Sequence, residues 1–405
     1  MVGIRTRAAV IRSQQITGLS SEVIAELVAE IGPLWHERHQ AALASRPRRR
    51  AVGAGAKHKL VFVDRLLATL IHLRHGVTHD VLACWFGVNR STITRAIGEV
   101  RPLLAQRGCT IAPGLRLRTL AEVVDHLGEN QKTGIIDGTE IRVRRPAAGR
   151  KDRDKFISGK NKQNAVKSMV FTDEDGRLLY CSPAEPASCA DITHARKLGL
   201  VRVLSNGPAV EILADAGYQG LGAQTGGRVI TPPHRKFKKN APDWYEEIHE
   251  QRRKAHSSRR IRVEHGIAHL KNWRALARHH GRREHMSDII QAVAALLSHQ
   301  HAVSPSYPMN ECKYRTSSYP STCQRQPCTS SLGPRLLKTN TEPPLALMPV
   351  MVSGVPRQEG DERDVGDGGG GHEPEVRIAA SSRRQFADEG AEISHGKHDA
   401  RAGPG

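Results

Sequence analysis

The sequence predicts an α/β protein in which a helical N-terminal region precedes a mixed β-sheet flanked by helices. Apolar residues repeat with a helical period up to about residue 110 and with a strand period from about residue 133. After residue 301 the periodicity is lost, and Pro, Gly and Ser become abundant. These changes predict four regions: an N-terminal helix with a basic linker at 1–59, a helical domain at 60–110, an α/β domain at 130–300, and a disordered tail at 301–405.

The charge is distributed unevenly along the 405 residues, whose formal net charge is +20. Residues 301–405 hold 12 basic and 13 acidic residues, which leaves 49 basic and 28 acidic residues, a net of +21, in the first 300. Lys and Arg that neutralise phosphates release condensed counterions, so an excess of this size indicates a polyanionic partner. The charge alone indicates a nucleic-acid partner and does not distinguish DNA from RNA.

The sequence shows no feature of a membrane or secreted protein. No apolar run approaches the roughly 18 residues that would span a bilayer, and the basic start lacks an apolar segment typical of a signal peptide. The seven cysteines are irregularly spaced and suit a reducing compartment. We therefore expect a cytoplasmic, nucleoid-associated protein with no membrane partner.

A helix–turn–helix pattern follows two longer helices predicted at 17–45 and 60–75. Thr78 can cap a short helix over 79–86, Gly87 supplies a turn, and Asn89 can cap a second helix. The apolar face of that second helix is formed by Ile93, Ile97, Val100 and Leu104. Its exposed N-terminal end carries Arg90, Ser91, Thr92, Thr94 and Arg95, where a recognition helix meets bases and phosphates. An ordinary helical hairpin with a polar surface is the alternative interpretation.

The second half of the chain alternates between strands and helices. The predicted strands are 134–145, 164–171, 177–183, 211–214 and 228–232, with a tight turn at Asp175-Gly176. Helices are predicted at 191–200, from 243 to about 278, and at 287–299. This order matches the ribonuclease H-like fold, a mixed five-stranded sheet flanked by helices.

Three carboxylates fall where a phosphodiester-cleaving site needs them. Asp137 lies within an apolar strand, where an unpartnered carboxylate is expensive to bury, Asp215 ends another strand, and Glu264 lies on the long helix. Hard cations such as Mg²⁺ prefer carboxylate oxygens, and two such ions activate a nucleophile and stabilise a leaving oxygen. We therefore predict that Asp137, Asp215 and Glu264 are the catalytic residues and hold two Mg²⁺ or Mn²⁺ ions.

Other charged residues near this triad have competing interpretations. Arg260 and Lys271 share the long helix with Glu264, and Lys271 is placed to hold a phosphate; a solvated charged face is the alternative. Glu140, three residues after Asp137, should point to the opposite face of the strand and serve as surface. Asp191 is either a helix cap or an accessory acid.

Four motifs in order resemble one known family. IIDGTEI at 135–141, the PAS-x-x-D segment at 186–191, LADAGYQG at 213–220, and R-x₃-E-x₆-K at 260–271 resemble bacterial insertion-sequence transposases of the DDE superfamily, in the branch related to the eukaryotic Harbinger elements. The resemblance covers roughly residues 17–300. It departs from the family pattern at Ser257, where a Tyr is common, and at Ala190, where a His is common.

The resemblance implies a transposase with Asp137, Asp215 and Glu264 as its metal-binding triad. Its partners would be double-stranded DNA, both the terminal repeats of its own element and the target, and a homo-oligomer is compatible with this class. A domesticated endonuclease of the same fold and a DNA-binding regulator with an inactive core are the alternatives.

Overall fold

The structure, a computed structural model, describes residues 4–45, 58–149, 152–234 and 242–304. The described helices are α1 (Ile4–Arg12), α2 (Gln14–Thr17), α3 (Ser21–Ala44), α4 (Phe62–His75), α5 (His79–Phe86), α6 (Arg90–Gln106), α7 (Leu120–Glu129), α8 (Asp191–Lys197), α9 (Leu200–Asn206), α10 (Leu221–Gln224), α11 (Asp243–Lys271), α12 (Arg274–Ala277) and α13 (Met286–Val303). The described strands are β1 (Cys109–Ala112), β2 (Leu115–Leu117), β3 (Gly134–Val143), β4 (Ala165–Asp173), β5 (Leu178–Cys181), β6 (Glu185–Pro186), β7 (Ile212–Leu213), β8 (Val229–Ile230) and β9 (Arg278–His279).

The main sheet has the strand order β5-β4-β3-β7-β8. Strands β3, β4 and β5 run antiparallel to one another, whereas β7 and β8 run parallel to β3. An antiparallel meander followed by two parallel strands on the other side of its first strand is the ribonuclease H-like arrangement. The predicted fold and its five strands are therefore confirmed; the short strands β6 and β9 add to the edges of β4 and β3.

Two apolar cores lie on the two faces of this sheet. Ile135 packs with α11, α13 and the N-terminal helices, while the adjacent Ile136 packs with α7 and α9. Successive side chains of a strand point to opposite faces, so β3 separates the two cores. Strand β3 is buried on both sides, which explains its nearly continuous apolar sequence.

The helix–turn–helix forms as predicted. The Thr78 hydroxyl accepts a hydrogen bond from the Val81 amide at 3.4 Å, and Gly87 ends α5 with a φ of 62°. Ile93, Ile97, Val100 and Leu104 of α6 are all buried. Val100 and Leu104 belong to the same core as α11 and α13, so this module packs directly onto the α/β fold.

Some elements differ from the sequence prediction. The hairpin β1–β2 and helix α7 were not predicted, and the helix predicted over 191–200 breaks at Gly199, whose φ is 75°. The long helix ends at Lys271 rather than near residue 278, because the chain turns there to bury Trp273 completely. Residues 278–279 then add to the edge of β3 as β9.

The last described helix runs to Val303, slightly past the predicted boundary at 300. The predicted disordered tail beyond residue 304, and most of the predicted basic linker, lie outside the described residues. Across the described ranges, no helix combines the length and apolar character that crossing a membrane requires.

Candidate active site

Asp137 lies on a stretch of β3 with an open edge. Along this edge β3 pairs with β7 only at Gly134 and Ile135, and with β9 only at Arg142 and Val143. The stretch between these two short ladders faces a cleft of about 630 Å³. Asp137 Oδ1 accepts a hydrogen bond from the Gly138 amide at 2.7 Å, and the side chain is 21% exposed.

Asp215 enters the same cleft from the neighbouring parallel strand. It lies two residues past the end of β7, and its Oδ1 accepts a hydrogen bond from the Gly217 amide at 2.8 Å. Because β3 pairs with β7, the strands that carry Asp137 and lead to Asp215 are direct neighbours.

The charges of this cleft alter the ionisation of Asp137. Burial raises the pKa of Asp137 to about 6, with repulsion from Asp215 and Asp191 acting in the same direction. The guanidinium of Arg260 opposes this effect, since its Nη2 lies 3.3 Å from Asp137 Oδ2. The three carboxylates therefore form a concentration of negative charge that a cation would stabilise.

Helix α11 supplies the remaining predicted residues of the cleft. Arg260, Glu264 and Lys271 all line it, and Glu264 is exposed at its rim. The helix approaches the sheet closely at Gly266, where a Cβ atom would lie 3.1 Å from Thr172 Cγ2. His256 donates a hydrogen bond from Nε2 to the Ala214 carbonyl at 2.8 Å, which ties α11 to the end of β7 beside Asp215.

Asp191 belongs to this cleft and does not cap its helix. The residue at the cap position of α8 is Ala190, and no side chain there accepts a capping hydrogen bond. A Cβ atom on Gly138 would lie 2.6 Å from Asp191 Oδ1, and one on Gly217 would lie 3.0 Å from Asp191 Oδ2. Of the two interpretations that the sequence left open, the geometry favours the accessory acid. Gly138 and Gly217 were the available signal in the sequence, because a residue without a side chain leaves room for the Asp191 carboxylate.

Glu140 also lines the cleft, and the expectation that it serves as surface is wrong. Its carboxylate accepts hydrogen bonds from the Ser158 hydroxyl at 2.8 Å and from Asn161 Nδ2 at 2.9 Å. Its side chain is only 16% exposed. Side chains do alternate along β3. The cleft nevertheless includes both Asp137 and Glu140, because it extends along the open edge of β3 to the loop at 158–161.

The predicted DNA-contacting residues lie at the exposed start of α6. Arg90, Ser91, Thr94 and Arg95 are exposed, and Thr92 is half-buried. Arg90 Nε lies 3.6 Å from Asp80 Oδ1 in a pair whose side chains are about two-thirds exposed, a contact of little energetic weight. Thr94 Oγ1 lies 2.9 Å from His79 Nδ1, and Arg95 Nε donates a hydrogen bond to the Ser91 carbonyl at 3.4 Å.

Comparison with known proteins places both parts of the chain in one family. A family model described as DDE superfamily endonuclease matches residues 136–298, and one described as helix-turn-helix of DDE superfamily endonuclease matches residues 58–110. The chain belongs to the DDE superfamily of insertion-sequence transposases. A protein of Streptomyces albus G, named as a transposase for insertion sequence element IS112, is 29% identical over 233 residues, which are 56% of this chain and 75% of that protein.

Solved complexes of the Mos1 transposase are distant structural neighbours of this DDE transposase. The paired-end complex with the left transposon end has a TM-score of 0.15 and 10% identity, covering 64% of this chain and 87% of that one. The mariner Mos1 paired-end complex with Mg has a TM-score of 0.16 and 15% identity, covering 60% and 85%. The fold described above rests on the strand order and not on these likenesses.

The cleft of this DDE transposase has the donor chemistry for hard divalent cations. Asp137, Asp191 and Asp215 offer carboxylate oxygens, and the buried Tyr218 hydroxyl beside them has no hydrogen-bond partner in the described part of the chain. Within that part, no three acidic, His or Cys side chains converge closely enough to hold an ion. Arg260 beside Asp137, and Lys167 with its Nζ 3.0 Å from Asp191 Oδ1, act as counterions instead. The residues therefore fit a divalent metal in charge and ligand type, provided that Arg260 and Lys167 move away from the carboxylates.

Proposed function

We propose that this chain binds the ends of its own mobile element, cleaves a DNA strand there with water, and joins the resulting 3′-hydroxyl to target DNA. One observation carries the proposal: Asp137 from a strand, Asp215 from the end of its parallel neighbour, and Glu264 from α11 line one cleft. An oligomer that brings two element ends together, and action at the chromosome in the cytoplasm, are consistent with this chemistry.

In the proposal Asp137, Asp215 and Glu264 hold the divalent metal, with Mg²⁺ or Mn²⁺ as the expected ion and two ions as the expected number. When bound, such ions supply Lewis-acid chemistry that activates an attacking oxygen and stabilises a leaving oxygen. The contribution of the chain is to collect the carboxylates before the reaction begins. The hydrogen bonds from the Gly138 and Gly217 amides fix Asp137 and Asp215 for this role.

The basic residues of the cleft act on the DNA and on the acids. Lys271 lies at the end of α11, and Glu140 and Asp137 both influence its pKa, which is lowered mainly by desolvation. An ammonium at that place would contact a phosphate next to the reacting bond. Arg260 would neutralise Asp137 while the cleft is free, and then turn to the phosphate when metal replaces it.

Asp191 completes the acidic cluster in this proposal. Its carboxylate is close to Gly138 and Gly217, the two glycines whose amides orient the other acids. From there it would position Asp137 and Asp215, directly or through water, and it would hold Lys167 in place. We therefore assign it a positioning role.

The test is nicking of a duplex that carries the sequences flanking the coding region. Purified protein, Mg²⁺ and the end-labelled duplex should give a cut at the element boundary, followed by joining of the 3′ end to a target plasmid. A scrambled duplex of the same length is the control. No metal-dependent cut in the flanking duplex would refute the proposal.

The two alternatives give different results in the same assay. A domesticated endonuclease would cut DNA and yield no joined product. A regulator with an inactive core would bind the flanking duplex without cutting it. Inverted repeats on either side of the coding region would favour the transposase over both.

A further inference from the structure

A second concave surface lies between the helix–turn–helix and the cleft. It has a volume of about 680 Å³ and is formed by the end of α4, the end of α11, and the segment through α12 to residue 280. We call it the basic groove. The ionisable residues that line it are His75, Lys271, Arg274, Arg278 and His280, and no acidic residue is among them.

The two arginines of the basic groove have no ionic partner within the described ranges. The Arg274 and Arg278 side chains are exposed and form no hydrogen bond or ion pair with any residue that the structure describes, whereas Glu140 and Asp137 act on Lys271 from the neighbouring cleft. Two buried arginines outside the groove do have acidic partners: Arg101 Nε lies 3.4 Å from Asp288, and Arg107 Nε lies 2.9 Å from Glu30. Unpaired cations in a concave surface create a positive potential that attracts a polyanion.

The groove connects two places where DNA is expected. Lys271 lines both the groove and the carboxylate cleft. At the other end, Gly76 lies two residues before Thr78, which caps the first helix of the helix–turn–helix. A strand that leaves α6 toward the carboxylates would therefore meet these cations on the way.

The walls of the groove are held together by direct contacts. Arg74 Nη1 donates a hydrogen bond to the Asn272 carbonyl at 3.2 Å, and its guanidinium lies 5.7 Å from the centre of the Trp273 ring. A Cβ atom on Gly76 would lie 3.6 Å from Arg274 Cβ. Because α4 and the turn after α11 share one core, the spacing between recognition helix and cleft is fixed by packing.

We infer that the basic groove binds the sugar–phosphate backbone of the element end, between the segment that α6 contacts and the phosphate in the cleft. The inference rests on the proposed function, because it takes DNA as the partner of both ends of the groove. Its role is to set the distance between the recognised sequence and the cut. Double-stranded DNA carries one charge per roughly 1.7 Å of axis, so several phosphates would face the groove.

The test compares two double variants that remove the same charge. Arg274→Gln with Arg278→Gln changes the groove, and Arg118→Gln with Arg202→Gln removes two exposed arginines from elements that pack on the other face of the sheet. Binding to the flanking duplex is measured by fluorescence anisotropy in EDTA over a range of salt concentrations. The groove variant should lower the slope of log affinity against log salt by about 2, since each phosphate contact contributes about 0.9. The control should keep the wild-type slope and both should keep the wild-type melting temperature.

A conservative variant and a shorter duplex sharpen the result. Arg274→Lys with Arg278→Lys should retain the slope, because charge rather than shape is required. A duplex trimmed to the segment protected by the helix–turn–helix should be bound equally by wild type and groove variant.

A wild-type slope for the groove variant on the long duplex would overturn the inference while leaving the proposed function standing. Failure of wild type to prefer the flanking duplex over a scrambled one would instead refute the proposed function, and the inference with it. An unchanged slope for DNA together with lost binding of a poly-glutamate peptide would assign the groove to an acidic protein.

Discussion

Arg260 Nη2 lies 3.3 Å from Asp137 Oδ2, so helix α11 places a cation directly on the carboxylate of the central strand. The same helix carries Glu264 one turn later, and both side chains line the cleft. One rigid element thus supplies both a predicted metal ligand and the counterion that the metal must displace. Removal of this cation should change how Asp137 responds to pH.

Arg260→Gln should shift the acidic limb of the nicking profile to higher pH. Burial has already raised the pKa of Asp137 to about 6, and Arg260 lowers it, so loss of Arg260 raises the pKa further. Less of the carboxylate is then ionised at a given pH. The position of the acidic limb is obtained from the rate of single-turnover nicking measured over a range of pH. Arg259→Gln is the matched control, because Arg259 pairs with Glu211. An acidic limb that stays in place in Arg260→Gln would contradict the assigned contact.

Asp137→Asn, Asp215→Asn and Glu264→Gln should each reduce strand cleavage by on the order of 100-fold or more. Each change removes a charge that holds metal but preserves shape, and loss of several kcal/mol of stabilisation costs a factor of ten per about 1.4 kcal/mol. Binding of the flanking duplex should be unchanged in EDTA. Glu174→Gln, in the exposed turn between β4 and β5, is the control. Wild-type cleavage by Asp215→Asn would mean that the triad is wrong.

Asp191→Asn should lower cleavage less than the triad variants do, because it acts on the other carboxylates. Gly138→Ala should reproduce the defect, since the added Cβ would lie 2.6 Å from Asp191 Oδ1 and displace that carboxylate. The double variant should be no worse than the more severe single variant. Metal affinity, measured by calorimetry, should fall in both. Additive defects would show that Gly138 and Asp191 act independently.

Arg90→Ala and Arg95→Ala should weaken binding to the element end. Each side chain is exposed at the start of α6, and each lost phosphate contact should lower the salt slope by about 1. Arg118→Ala serves as a control on the other face of the sheet. An unchanged affinity and slope for the double variant would remove α6 from the interface.

Stability should decrease on acidification because of two histidines. Burial lowers the pKa values of His279 and His301 to about 4 each, below the ordinary value of 6.5. Between about pH 4 and about pH 6.5 the unfolded chain therefore binds more protons than the folded chain. The free energy of unfolding consequently rises with pH over this range. The melting temperature should fall from about pH 7 to about pH 5. His279→Gln and His301→Gln should reduce this dependence, and the exposed His36→Gln should not. A melting temperature independent of pH in wild type would contradict the burial of both rings.

Glu140 and Asp191 lie in the cleft because of contacts that no sequence pattern reveals. Glu140 was placed on the surface because residues three apart on a strand face opposite ways, yet Ser158 and Asn161 hold it in the cleft. The sequence pattern of Asp191 is compatible both with a helix cap and with an accessory acid of the site. Both outcomes depend on loops from distant positions in the chain, and a local periodicity contains no information about those contacts.

The class of fold, the helix–turn–helix and the positions of three candidate carboxylates can all be predicted from the amino-acid sequence. Strand alternation, capping residues and apolar faces are local properties, and each is written in a few consecutive residues. Which charges meet depends on folding: Arg260 contacts Asp137, Lys167 contacts Asp191, and the cations of the basic groove gather beside the helix–turn–helix. These pairings follow from the order of parallel and antiparallel strands and from the turn that buries Trp273, because packing of distant segments brings together side chains that no spacing along the chain relates.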